Sequence, residues 1–267
     1  MKNLLSSAGA AVLAVLAGCC QNLPPPPPQE AVPEAITVHR TGQKITVDGR
    51  LNESAWQQAK VHRLVRSNNW KGLPPKIREK VKNEPFQGGS FRLLMDDKYL
   101  YLAVEFEDSD VLAGSIKNQS RLYRTGDLAE LFLTPEGGHA YFEIYVNPAG
   151  AHTFYAFPGG GTANLLMMFD EDRKTPGIKA AAQVNGTLND QSDVDRSWSA
   201  ELAVPLKSLA GFGTEFAPGN KWCILVSRYN YAAHLRKLQF SGLPELPPGV
   251  SFGDIEYHAP LEFVVAE

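Results

Sequence analysis

The chain is poor in cysteine. Three in 267 residues, two of them adjacent at Cys19-Cys20, cannot build a disulfide framework, which excludes a disulfide-stapled secreted miniature. A dominant charge is also missing. The 26 Lys+Arg against 29 Asp+Glu leave a formal net charge of −3, no electrostatic footprint for nucleic acid or for an anionic membrane surface. No apolar run reaches the roughly 20 residues of a spanning helix. The six histidines, at 39, 62, 139, 152, 234 and 258, lack metal-ligand spacing. Gly-x-Ser-x-Gly, His-Glu-x-x-His and phosphate-binding loops are absent, and Asp127 with Glu130 would form a glycosidase pair only by chance, so the chain reads as non-catalytic.

Turns, by contrast, are plentiful. With 23 Gly, 19 Pro and 43% hydrophobic residues, the chain affords a core and favours β structure over a helical bundle. From Ile36 onward the pattern has period two. Leu100, Leu102, Val104 and Phe106 fall on one face of a strand, with Tyr99, Tyr101, Glu105 and Glu107 on the other. Phe142, Ile144 and Val146 oppose Glu143, Tyr145 and Asn147, and Trp198, Ala200, Leu202 and Val204 share a third apolar face. Further strand-like runs are Phe91–Met95, Leu128–Leu133, Thr153–Phe157, Ile178–Val184, Lys221–Tyr231 and Leu261–Val265, separated by turn signals such as Asn185-Gly186 and Pro218-Gly219-Asn220. Helical pattern is confined to Glu53–Ala59 and Pro205–Leu209. The expected fold is all-β: a two-sheet antiparallel β-sandwich with short helical turns. Asn68–Gly89, basic and rich in Pro and Gly, and Pro158–Pro176 read as insertions.

The N-terminus reads as an address. Lys2 precedes an apolar stretch, Ala8 to Ala17, of signal-peptide length, ending in Leu16-Ala17-Gly18-Cys19. That ending resembles the lipobox of bacterial lipoproteins. It implies a signal peptide over residues 1–18, lipidation at Cys19, and export to the bacterial cell envelope with a lipid anchor as the only membrane attachment. Cys20, not Asp, follows the lipidated position, so the outer membrane is the expected destination. Five consecutive prolines, Pro24 to Pro28, favour a polyproline II spacer, so residues 19–35 form the linker and residues 36–267 the domain.

Ile45-Thr46-Val47-Asp48-Gly49-Arg50-Leu51-Asn52-Glu53-Ser54-Ala55-Trp56 resembles the opening of family 9 carbohydrate-binding modules. Four further blocks follow in the family's order: Phe91 to Tyr101, Gly126-Asp127-Leu128-Ala129-Glu130-Leu131-Phe132-Leu133, Tyr141 to Gly150, and Trp198 to Pro205. The resemblance spans about residues 36–265 and implies a DOMON-like β-sandwich that binds oligo- or polysaccharide without catalysis, in some members with structural calcium. By position, Tyr123 and Phe252 correspond to the family's stacking aromatics, and Asp127, Glu130 and Arg228 to its ligand-facing polar residues. The implied site has Tyr123 and Phe252 facing each other, with Glu130 and Arg228 on the floor between them.

Other readings compete. Trp56, Trp198 and Trp222 suit a core, whereas Trp70, in a polar insertion, is open to a ligand or partner role. Asp127 can cap a turn, and Glu130 can pair with Arg228. Asp170-Glu171-Asp172 and the acidic residues of 190–195 can offer oxygens to Ca2+ or remain solvated loops. Related sandwiches bind haem through Met, His or Lys, for which Met95, Met167 and Met168 are available. A structural or adhesion domain with a degenerate sugar site is the third alternative.

Overall fold

A computed structural model describes residues 33–67, 71, 73–158, 177–210 and 213–264. The signal peptide, Cys19, the proline run, Trp70, Met167, Met168 and Asp170-Glu171-Asp172 lie outside the described residues. The strands are β1 (Ile36–Arg40), β2 (His62–Arg63), β3 (Val65–Arg66), β4 (Gly89–Met95), β5 (Tyr99–Glu107), β6 (Leu128–Pro135), β7 (Tyr141–Val146), β8 (His152–Phe157), β9 (Lys179–Asn185), β10 (Ser197–Pro205), β11 (Trp222–Asn230), β12 (Gln239–Leu243) and β13 (Ala259–Val264). They hydrogen-bond into one sheet in the order β8-β7-β6-β11-β13-β1-β4-β5-β10-β9, with β12 and β3 branching from β11.

Two separate antiparallel sheets are therefore not what forms. β1 runs parallel to both neighbours, pairing Ile36 with Leu261 of β13 and His39 with Leu94 of β4, and so joins the halves into one mixed sheet. Alternation along a strand reveals which face is buried but not which strand lies beside it, so the pattern could not show this junction. The inward residues of both halves nonetheless share one core, which includes Val38, Phe91, Leu102, Trp198, Leu131, Ile144 and Ile224.

Most strands run where the alternation places them, and Tyr99–Glu107 does so to the residue. The outward faces are less exposed than the pattern suggests. Helix α1 (Ser54–Gln58) lays Trp56 against Tyr101, Ala103 and Ala203, which buries the far side of β5 and β10 as well. Here the Asp48-Gly49 turn is held by Glu201, whose Oε2 accepts the N–H groups of both turn residues at 2.9 and 2.8 Å while its Oε1 accepts Trp56 Nε1 at 2.8 Å. Gly49 adopts φ +83°, and a Cβ there would lie 2.7 Å from the Ala182 backbone, so only glycine fits.

Helix α2 (Pro75–Lys82) lies within the segment 68–89 read as an insertion. Pro75 starts it at a position where the missing N–H is no loss. Its apolar signal is only Ile77 and Val81, too thin a stripe to register as amphipathic.

Trp198 is 1% exposed and meets Phe106 edge-on at 4.9 Å. Truncating a large core aromatic costs about 3–5 kcal/mol, a large share of a domain's stability of about 5–15 kcal/mol. Trp198→Ala should therefore unfold the domain or lower its melting temperature sharply. An unchanged melt by differential scanning calorimetry would contradict this packing.

Candidate functional site

Period two sorts the residues of β6 and β11 onto opposite faces. Leu128, Glu130 and Phe132 face outward with Leu225, Ser227 and Tyr229, while Ala129, Leu131, Ile224, Val226 and Arg228 face the core. The strand register lines up an outward row, Tyr145, Glu130, Ser227 and Gly242, across β7, β6, β11 and β12. Tyr123, on the 3-10 turn Leu122–Arg124, packs edge-on against Tyr145 at 6.3 Å. Phe252 lies at the other end of the row, against Tyr229 at 6.1 Å and Phe240 at 5.9 Å. It reaches the sheet because Gly242 has no side chain, and a Cβ there would stand 3.3 Å from the Phe252 ring. The two aromatics thus flank one stretch of sheet, both partly exposed.

The floor differs from the expected one. Glu130 is 2% exposed and accepts Ser227 Oγ–H at 2.6 Å, so it lies beneath the face and not at its surface. Glu130 does not pair with Arg228, because neighbouring register positions point to opposite sides of the sheet. Arg228 is fully buried on the core side. Its Nη2 bonds Asp108 Oδ2 at 2.9 Å, its Nη1 bonds the carbonyls of Gln87 and Gly88 at 2.9 and 3.2 Å, and its guanidinium covers the Phe106 ring. Asp127 is also buried on that side, where its carboxylate accepts Leu112 N–H at 2.6 Å and Tyr231 N–H at 2.7 Å. Asp127 and Arg228 therefore belong to a structural network inside the fold. The separation also removes Asp127 and Glu130 as a catalytic pair.

Glu143 puts a carboxylate on the outward side of β7, in step with Tyr141 and Tyr145. It retains solvent access, and Tyr145 donates its hydroxyl hydrogen to Glu143 Oε2. Burial raises the Glu143 carboxyl to about 7, against the lowering effect of hydrogen bonds from Tyr145 and Tyr141. Burial and the nearby Glu143 charge push Glu130 well above the usual carboxylate range. The Tyr229 phenol is raised by burial and by the Glu130 and Glu143 charges, which places all three groups in one electrostatic neighbourhood. Glu143 and Tyr145 were visible in sequence as the polar side of an alternating strand. Nothing in the sequence marked them as part of the same face as Tyr123.

This arrangement of strands has solved counterparts. A candidate carbohydrate-binding protein from Bacteroides uniformis ATCC 8492 superposes with a TM-score of 0.61 at 14% identity, covering 87% of this chain and 100% of that one. A family 9 carbohydrate-binding module from Caldicellulosiruptor kristjanssonii in complex with cellotriose gives 0.54 at 12% identity, covering 88% and 95%. The fold is that of the family 9 modules. A family 9 module from Caldicellulosiruptor kristjanssonii in complex with glucose gives 0.50 at 10% identity, covering 87% of this chain and 97% of that one. No family profile matches the chain, and no curated protein sequence matches it.

On this family 9 fold some of the residues weighed for cofactors are placed. Asp195 directs its carboxylate oxygens to the N–H groups of Val111 and Thr187, both at 2.6 Å, and Asp190 accepts from Ser192. Among the described residues no group of three or more His, Cys, Asp or Glu side chains is placed to hold a metal ion. Asp190 and Asp195 thus spend these carboxylate oxygens on the fold, and Asp170-Glu171-Asp172 lie outside the described residues. Of the three methionines weighed for haem, Met95 is the one among the described residues, and it is enclosed by the core.

The Glu143 shift carries a pH signature. Its folded-state value of about 7 lies above the ordinary 4.5. Folding therefore takes up a proton across that window, and stability falls as pH rises through it. Glu143→Gln cannot ionise yet still accepts the Tyr145 hydrogen bond. It should reduce the loss of stability between those pH values and melt above the wild type at about pH 8. Parallel melting curves across the pH range would refute this if the wild type and variant tracked each other.

Proposed function

We propose that the domain is a non-catalytic carbohydrate-binding module whose ligand lies across the face between Tyr123 and Phe252. One observation carries the reading: two partly exposed aromatics flank a floor of a carboxylate and phenols, Glu143, Tyr145 and Tyr229, on a fold shared with sugar-binding modules. Flat rings suit the apolar C–H side of a pyranose, and a carboxylate accepts hydroxyl hydrogens more strongly than a neutral group does. Glu130 acts beneath this surface as a positioning residue through Ser227.

Calorimetric titration with cellotriose beside thermal melting tests the reading. Tyr123→Ala should weaken binding by about two- to tenfold, since one aromatic contact contributes about 0.5–1.5 kcal/mol. Its melting temperature should change little. Arg228→Ala should instead collapse the melt, because breaking a buried ion pair costs about 3–5 kcal/mol. Full affinity in Tyr123→Ala, or an undisturbed melt in Arg228→Ala, would overturn these assignments.

We further propose that Cys19 carries a lipid that displays the domain on the bacterial envelope, with the residue 19–35 linker as spacer. Support comes from Leu16-Ala17-Gly18-Cys19 and the five prolines beyond it. Cys19→Ser, whose oxygen cannot form the thioether, should release the protein from membranes. Retention of the variant in the membrane fraction after a high-salt wash would defeat the lipid anchor.

A further inference from the structure

Beside the aromatic face lies a cleft of about 140 Å³ between α2 and β12. Arg66, Leu73, Val81, Glu84, Lys237 and Phe240 line it. Sites that engulf a small ligand measure about 300–1,000 Å³, so this cleft suits one substituent of a larger ligand. Phe240 belongs to both places. It lines the cleft and packs against Tyr229 at 4.6 Å and Phe252 at 5.9 Å, so the cleft continues the face proposed to bind sugar.

The charge of this neighbourhood is opposite to that of the chain. Residues 66–84 hold six cationic and two acidic side chains, a net +4 in a chain whose total is −3. The structure fixes part of that charge in place. Arg66 bonds the carbonyls of Val81 and Glu84 at 2.6 and 3.2 Å, which ties the end of α2 to the strand pairing with β12. Glu84 is matched by Arg236, whose N–H it accepts at 3.1 Å. Lys76, Lys80, Lys82 and Lys237 have no carboxylate partner among the described residues, and the three on α2 are exposed. A cationic surface continuous with an aromatic sugar platform selects for anionic groups on the sugar chain.

Resting on the carbohydrate-binding reading, we propose that the ligand is an acidic polysaccharide. One ring lies between Tyr123 and Phe252, and the carboxylate of a neighbouring uronic acid meets Lys237 and the basic surface of α2. An anionic membrane fits the surface less well. A helix of eight residues whose exposed apolar side chain is Ile77 has too little to insert at a lipid interface.

The test compares cellotriose with the trimer of β-1,4-linked glucuronate, which differs from it in carrying C6 carboxylates. Calorimetric titration of the full chain should show the glucuronate trimer binding about tenfold tighter at low salt, with the preference lost at about 0.5 M salt, where screening is strong. Combining Lys76→Gln, Lys80→Gln, Lys82→Gln and Lys237→Gln should bring the affinity ratio close to one, with a melting curve verifying the fold. Equal or stronger binding of cellotriose by the wild type would overturn the acidic ligand while leaving the sugar-binding reading intact. A preference that survives the four substitutions would overturn the assignment to this surface. Binding of neither trimer would remove both readings. Sedimentation with phosphatidylglycerol vesicles, without binding of the glucuronate trimer, would identify a lipid surface instead and overturn the proposal.

Discussion

A buried guanidinium holds the open end of this sheet together. β11 pairs with β13 only over Trp222 to Ile224, and beyond that point its partner is β12. The hydrogen-bonded path from one half to the other therefore leaves β11 before Arg228. There the halves meet through Arg228 itself, which reaches Asp108 at the end of β5 and the carbonyls of Gln87 and Gly88 ahead of β4. Asn230 adds a bond to Gln87 at 2.6 Å. Asp127 pins the loop after β5 to the end of β11 through Leu112 and Tyr231. A pair this deeply buried is weak evidence of net stabilisation, but its loss leaves an uncompensated charge in the core. Its role is to fix how the halves close.

That closure decides which residues can meet a ligand. Adjacent positions on a strand differ only in face, so Ser227 and Arg228 serve different purposes despite being neighbours in sequence. Ser227 binds Glu130 under the aromatic face, and Arg228 serves the interior. Both carry polar chemistry, and neither is directly available to a sugar. The polar groups of the proposed site that retain solvent access are Glu143 and Tyr229, with Tyr145 orienting the first.

Sequence makes the strands and the three core tryptophans legible because period-two burial and bulk are local properties. It also brings Tyr123 and Phe252 to one face, through position relative to recognisable blocks. The partners of long-range polar groups were not legible. Glu201 reads as one more residue on a strand, yet it holds the Asp48-Gly49 turn and Trp56 from about 150 residues away in sequence, and so physically joins two of the family-like blocks. The Glu130–Ser227 and Arg228–Asp108 pairings depend on which strand lies beside β11, and alternation does not encode that. α2 was hidden for another reason: its stability derives from Arg66 and a cleft wall rather than from an apolar stripe of its own.

The cover over the aromatic face follows from the same logic. β6 is buried along its whole length, although one of its faces points away from the shared core. Leu246, Val250, Phe252, Ile255 and Tyr257, from the chain between β12 and β13, pack on that outward face. His258 holds the segment in place through the Phe252 carbonyl at 2.9 Å, and burial lowers its imidazole to about 4, so this anchor stays neutral through the physiological range. Phe252 is therefore both a packing residue and a flank of the proposed site, supported from below by Tyr229 and Phe240. A ring so supported loses little freedom when a sugar stacks on it, because its conformational entropy is already given up in folding. Tyr123 is supported in the same way by Tyr145 and by a 2.5 Å hydrogen bond from Tyr231 to its backbone carbonyl. Both rings of the proposed site are therefore held by the fold itself, each against neighbouring aromatics, before any sugar stacks on them.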